Sequence, residues 1–177
     1  MKRASLLKLL VAAALPLACG SAFAASPKSA NIAVSASVSA NCSISTTPLA
    51  FGVYDPVTAN LTDALTGQGS VSVACAKKAT GMTIGMSNGS NFLVQRRMTG
   101  PALDFLKYDL FQPTGATPAT ACPGTVAWGT TIGTDTLALT DAPSKDARPY
   151  LVCGSIPGGQ DIAVDTYADT VVATVNF

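Results

Sequence analysis

Gly69-Ser70-Val71-Ser72-Val73-Ala74-Cys75 places an apolar side chain at every second position, and after Ala79-Thr80-Gly81 the alternation resumes through Met82, Ile84 and Met86. A period of two belongs to a β-strand with one buried face, because successive side chains leave the pleated backbone on opposite sides. The two runs, separated by a turn-forming stretch, are expected to be neighbouring strands of a hairpin. The same pattern recurs at both ends of the chain. Near the start, Ile32, Val34, Ala36, Val38 and Ala40 alternate with Asn31, Ala33, Ser35, Ser37 and Ser39, a long extended arm with one apolar face. At the far end, Tyr167 to Phe177 carries Val171, Ala173, Val175 and Phe177 on one face, and there the chain stops. Shorter candidates are Leu49 to Tyr54 closed by Asp55-Pro56, Leu93 to Met98, Leu106 to Phe111, Val126 to Trp128, Leu137 to Leu139 and Tyr150 to Gly154.

Composition agrees with strands. The 177 residues are 48% hydrophobic and only 12% charged, with 15 Gly, 11 Pro and no His. All ten acidic residues are Asp. A chain rich in Thr, Val and Gly and free of Glu disfavours helix. No segment beyond the first 24 residues shows a 3.6-residue period, no internal repeat is visible, and no linker is long enough to divide the chain. Short strands separated by turns predict one all-β domain, a sandwich of the immunoglobulin type. The missing His removes the usual general base, triad member and metal ligand.

Residues 1–24 read as a signal peptide. Lys2, Arg3 and Lys8 give a basic start, Leu6 to Ala18 an apolar run, and Ala22-Phe23-Ala24 the small-x-small site for cleavage. The run is interrupted by Pro16 and Gly20 and is too short for a membrane span. A lipidated Cys19 would need Leu where Pro16 stands. The mature chain is expected to begin at Ala25, with eight basic residues against ten aspartates and a net charge of −2. That balance offers no basic patch for nucleic acid. Cys42, Cys75, Cys122 and Cys153 remain, an even number in an exported chain without C-x-x-C or His, which reads as two disulfides and no zinc site. Three connectivities are open, of which Cys42 with Cys75 and Cys122 with Cys153 is the most local. Each such loop is worth about 3 to 4 kcal/mol by the chain-entropy estimate.

Candidate chemistry is sparse. Gly85-Met86-Ser87-Asn88-Gly89 matches the G-x-S-x-G pattern of a hydrolase nucleophile, but a Ser nucleophile needs a base that a His-free chain does not supply. A strand running into an Asn88-Gly89 turn explains the same letters. Asp104, Asp109, Asp161, Asp165 and Asp169 fit solvated or turn-capping roles better than paired carboxylates or a calcium site. Asn41, Asn60 and Asn88 start N-x-S/T triplets, which matter only in a eukaryotic source. Arg96-Arg97 beside Lys77-Lys78 is expected to be a charge pair on a solvated strand. No catalytic, metal-binding or cofactor-binding residue is expected, and no cofactor.

Several pieces in order resemble one family. Asn41-Cys42-Ser43-Ile44 follows the alternating arm; Phe51-Gly52, Tyr54-Asp55-Pro56 and Gly69 to Cys75 come next. Tyr108-Asp109-Leu110-Phe111, Trp128-Gly129, Ile156-Pro157-Gly158-Gly159-Gln160 and the ending Tyr167 to Phe177 complete the set. Together they resemble the spore coat protein U domain family, the pilin subunits of archaic (Csu-type) chaperone-usher pili, over essentially the whole mature chain. One departure is Asp165-Thr166 before Tyr167, where the family often has a Gly.

The resemblance implies an immunoglobulin-like sandwich that lacks its last strand, with residues 25–37 as an N-terminal donor-strand extension and 38–177 as the domain. A missing strand leaves an apolar groove and unpaired edges. Family likeness implies that a periplasmic chaperone fills the groove first and the arm of another pilin copy replaces it, with an outer-membrane usher as the assembly platform. Ala30, Ile32, Val34 and Ala36 would be the donor residues, and Val171, Ala173, Val175 and Phe177 the C-terminal strand that meets the chaperone. The change from donor to first domain strand is placed near Ser35 to Ser39. Head-to-tail repetition does not close and builds a fibre. The implied role is a structural subunit of a surface pilus supporting adhesion and biofilm formation, exported through the periplasm to the cell surface, with no small-molecule substrate. The rivals are a self-contained secreted or spore-coat-type binding protein with a complete sandwich, and a hydrolase using Ser87.

Overall fold

A computed structural model describes residues 26–114 and 121–177; the expected signal peptide and Cys19 lie outside the described residues. The described chain is all-β: nine strands and no helix. β1 (Cys42–Ala50), β2 (Leu65–Cys75), β8 (Arg148–Ile156) and β6 (Asp109–Phe111) form an antiparallel sheet in the order β1-β2-β8-β6. A second sheet has the order β7-β3-β9, from β7 (Leu137–Ala138), β3 (Thr83–Met86) and β9 (Ala173–Asn176). β4 (Arg97–Thr99) and β5 (Phe105–Lys107) make a short ribbon.

The alternation of the sequence sets the core. Val71, Val73 and Cys75 of β2 and Tyr150, Val152 and Ile156 of β8 point inward from the first sheet, and Met82, Ile84 and Met86 meet them from the second. Trp128 is fully buried between them and donates its indole N–H to the Ile84 carbonyl at 2.8 Å. That bond satisfies the ring's only polar group, the condition for burying a tryptophan without loss.

The expected hairpin of β2 and β3 is corrected. Its two runs lie in different sheets, β2 between β1 and β8, β3 between β7 and β9. Both bury the same phase of their alternation, and facing positions across a sandwich satisfy this as well as adjacent positions in a hairpin. The reversal is taken by Lys78 and Gly81, at φ 68° and 69°, and fixed by Lys78 N–H to Ala142 O and Ala142 N–H to Ala79 O.

Other expectations shift in detail. Residues 26–41 form no strand and are exposed throughout; the ladder opens only at Cys42↔Cys75. The alternation of Ile32 to Ala40 marks a strand-forming segment, but a strand needs a partner for its N–H and C=O groups, and among the described residues no strand ladder includes it. Leu49 to Tyr54 is not a separate strand: β1 runs to Ala50 with an irregular register between Thr47 and Ala50, and Phe51 leaves the sheet. Phe51 lies over Gly67 and Gly154, where an added Cβ would stand 2.9 and 2.6 Å from the ring. Leu93 and Val94 are exposed, and β4 starts only at Arg97. Leu106 to Phe111 divides at Tyr108 into β5 and β6, and Val126 to Trp128 contributes a single bridge, Phe111↔Ala127.

The disulfides join Cys42 to Cys75 and Cys122 to Cys153. The first pins the start of β1 to the end of β2. The motif pieces that lie far apart in the chain also meet: Tyr54 donates its hydroxyl to Pro157 O at 3.0 Å and accepts from Gln160 N–H at 3.0 Å. The Gln160 amide in turn bonds both backbone groups of Lys107.

Candidate functional site

β1 is the outer strand of its sheet and β9 the outer strand of the other. They face each other across a cleft of about 300 Å³ without pairing. One lip is Thr46 to Leu49 and the other Asp169 to Val171 with Ala173. Its floor is the core itself: Val71, Met86, Leu110 and Val152 line it. Unpaired strand edges above an apolar floor are an invitation to another strand.

The terminal run is held against its own sheet by several devices. Ala168 bridges Thr99, Val172 N–H donates to Ser87 Oγ at 2.9 Å, and Ser87 N–H donates to Val172 O at 2.9 Å. Ser87 is thus occupied in anchoring the backbone of the terminal run. Asp169 gathers more partners than any other side chain nearby. Its Oδ1 accepts from the backbone N–H of Ser90, Asn91 and Thr170 and from the Asn91 amide, at 2.8–3.2 Å. Its Oδ2 accepts the Tyr108 hydroxyl at 2.7 Å. Burial first, then the hydrogen bond to Asp169 and its charge, push the Tyr108 phenol well above the usual tyrosine range.

Arg96 corrects an expectation. It is buried, and no solvated charge pair forms with Arg97. Its guanidinium donates to the carbonyls of Met86, Ser87 and Trp128 at 2.6–3.0 Å, closing the end of β3 below the cleft. Burial lowers its pKa, against the opposing pull of Tyr108, Asp109, Asp135 and Asp169. Arg97 instead stacks on Phe105, 3.8 Å from the ring centroid.

Of the residues singled out from the sequence, Val171 and Ala173 line the cleft, Val175 packs against the core, and Phe177 is 57% exposed. Ala30, Ile32, Val34 and Ala36 are all exposed, Ile32 and Val34 at 87% and 91%. Asp104 and Asp165 accept from loop backbone, Asp109 from the Gln95 amide. Asn60 is buried with its amide bonded to Asp55 and Asp63, which leaves it closed to modification. Sequence reasoning gave no role to Tyr108 or Trp128 and underrated Asp169 and Arg96. The available signal was their place in the ordered motif pieces, which contain Tyr108, Trp128 and Asp169. No group of metal-ligating side chains occurs among the described residues.

The fold is an immunoglobulin-like sandwich with an apolar cleft between its edge strands β1 and β9. Residues 28–174 match the Spore Coat Protein U domain, and the chain belongs to that family. It is 37% identical over 180 residues, 94% of each chain, to Protein U of Myxococcus xanthus. Among solved structures it resembles a chain from the crystal structure of the chaperone–tip adhesion subunit pre-assembly complex of archaic chaperone-usher Csu pili of Acinetobacter baumannii, with a TM-score of 0.52 and 24% identity. That match covers 79% of this chain and 40% of the other, so the likeness is one of fold and spans less than half of the solved chain.

Proposed function

We propose that this protein is a structural subunit of a surface pilus, assembled by donor-strand complementation through a chaperone and an usher. The observation that carries the reading is the apolar cleft between the unpaired edges of β1 and β9, in a chain that also has an exposed alternating arm. Ala30, Ile32, Val34 and Ala36 of one copy fill the cleft of the next. Each aliphatic side chain buried contributes about 1.5–3 kcal/mol, and the added main-chain ladder contributes more. Residues 1–24 direct export, the periplasmic chaperone covers the cleft in transit, and the finished fibre stands on the cell surface, where it serves adhesion and biofilm formation. The work is done by strand edges, with no catalytic step and no cofactor.

Co-production of the full chain with an archaic chaperone and usher tests this. Deleting residues 25–35 should abolish surface polymer while the secreted monomer stays folded by circular dichroism. Polymer formed by the truncated chain would exclude the donor role. The kinship to Protein U over nearly the whole length favours a second reading, a self-contained coat-type surface protein. In that case the purified mature chain stays monomeric and binds no added donor peptide.

A further inference from the structure

The arm keeps its apolar phase beyond Ala36. Val38 follows on the same face, with Ser35, Ser37 and Ser39 opposite, and Val38 is 91% exposed. A second cleft, of about 740 Å³, adjoins the first. Leu49, Phe51 and Met98 line both, so the two are neighbours across one apolar wall. The second cleft continues the line of the terminal run backward, through Tyr167 to Ile162. It carries Val53 and Val164, both almost wholly exposed, an arrangement that an isolated soluble domain has no use for.

We propose that the second cleft is the seat of Val38 from another copy of this chain, so that the docking segment spans both clefts and not the first alone. This rests on the donor-strand reading above. A donor added to β9 pairs more stably antiparallel than parallel. In that direction its N-terminal side lies by Phe177 and its C-terminal side by Asp169, from where the chain runs on past the Leu49–Phe51–Met98 wall. Each two-residue step along the strand advances about 7 Å. With Ile32, Val34 and Ala36 above the first cleft, Val38 arrives beside Phe51 and Val53. The second cleft thereby fixes both the direction of the donor and the register at which it stops.

The test uses the purified mature chain and a fluorescent peptide of residues 29–41, read by anisotropy. The wild-type peptide should bind; a peptide ending at Ser37, or carrying Val38→Asp, should bind at least tenfold more weakly. Val53→Asp in the acceptor chain, an exposed position that leaves the fold intact, should cause a similar loss, with little further loss when combined with the Val38→Asp peptide. If the wild-type peptide does not bind, the donor-strand reading itself fails. If it binds and the altered peptides match it within twofold, the second-cleft assignment fails and the donor reading stands. If Val38→Asp weakens binding but Val53→Asp does not, while Phe177→Asp does, the donor runs parallel to β9 and the assignment is overturned.

Discussion

Replacing Asp169 with Ala should loosen the terminal run at the corner of the cleft by an amount that follows from its partners. The carboxylate accepts from Ser90, Asn91 and Thr170 backbone, the Asn91 amide and the Tyr108 hydroxyl. Ser90 and Thr170 are exposed and can turn to water, so their loss is small. Tyr108 is 4% exposed and has no such substitute. A hydrogen bond to a charged group contributes about 1.5–3 kcal/mol, and leaving a buried hydroxyl unmatched lies at the upper end of that range. With about 1 kcal/mol for the turn amides, the expected loss is about 3 kcal/mol. For a domain of this size that lowers Tm by about 6–12 °C. Urea unfolding with the disulfides intact gives the stability directly, and Tyr108→Phe should lose about half as much. The double variant should lose little more than Asp169→Ala alone, because both changes remove the same bond. An Asp169→Ala protein within about 0.5 kcal/mol of wild type, or two losses that simply add, would refute the reasoning.

The remaining predictions concern the same scaffold. The raised Tyr108 pKa means that the unfolded phenol loses its proton first, near pH 10, so the associated stability is whole below that pH and declines as pH rises further; urea midpoints between pH 8 and 10.5 should fall more steeply for wild type than for Tyr108→Phe. Gly154→Ala sets a Cβ 2.6 Å from Phe51 and 2.8 Å from Leu49; calorimetry should register a loss of about 1–3 kcal/mol from overpacking, and an unchanged Tm would mean that Phe51 is free to move. Ser87→Ala removes the acceptor of Val172 N–H and should cost about 1 kcal/mol, seen as faster hydrogen exchange at Val172. Loss of a measurable esterase activity in that variant would revive the hydrolase reading. Cys42→Ser with Cys75→Ser should lower stability by about 2–4 kcal/mol, measured as a shift in urea midpoint against wild type.

Much of the fold was legible because alternation is a property of one strand. Val71, Val73 and Cys75 and then Met82, Ile84 and Met86 announce buried faces, and all six are core residues. Which strands neighbour one another was not legible. Facing and adjacent positions bury the same phase, so the sequence pattern could not separate a hairpin from two sheets. The cleft was only half visible for a related reason. Val171 and Ala173 stood out as one face of a strand, whereas the floor under them comes from β2, β3, β6 and β8, residues that no local window unites.

The polar residues mark the same boundary more sharply. By itself the sequence determined that the chain is all-β, that it has no His and no Glu, and that its alternating arm has the pattern of a strand. Only the tertiary structure decided that Arg96 is buried, because three carbonyls from β3, the loop after it and the Trp128 segment converge on one guanidinium. It likewise decided that Asp169 holds Tyr108 across 61 residues of sequence, and that β1 and β9 stand apart over an open apolar floor. Strand-forming tendency is local and can be read from neighbours in the chain. Burial of a charge and the opening of a cleft between two strands depend on what packing brings within a few ångströms.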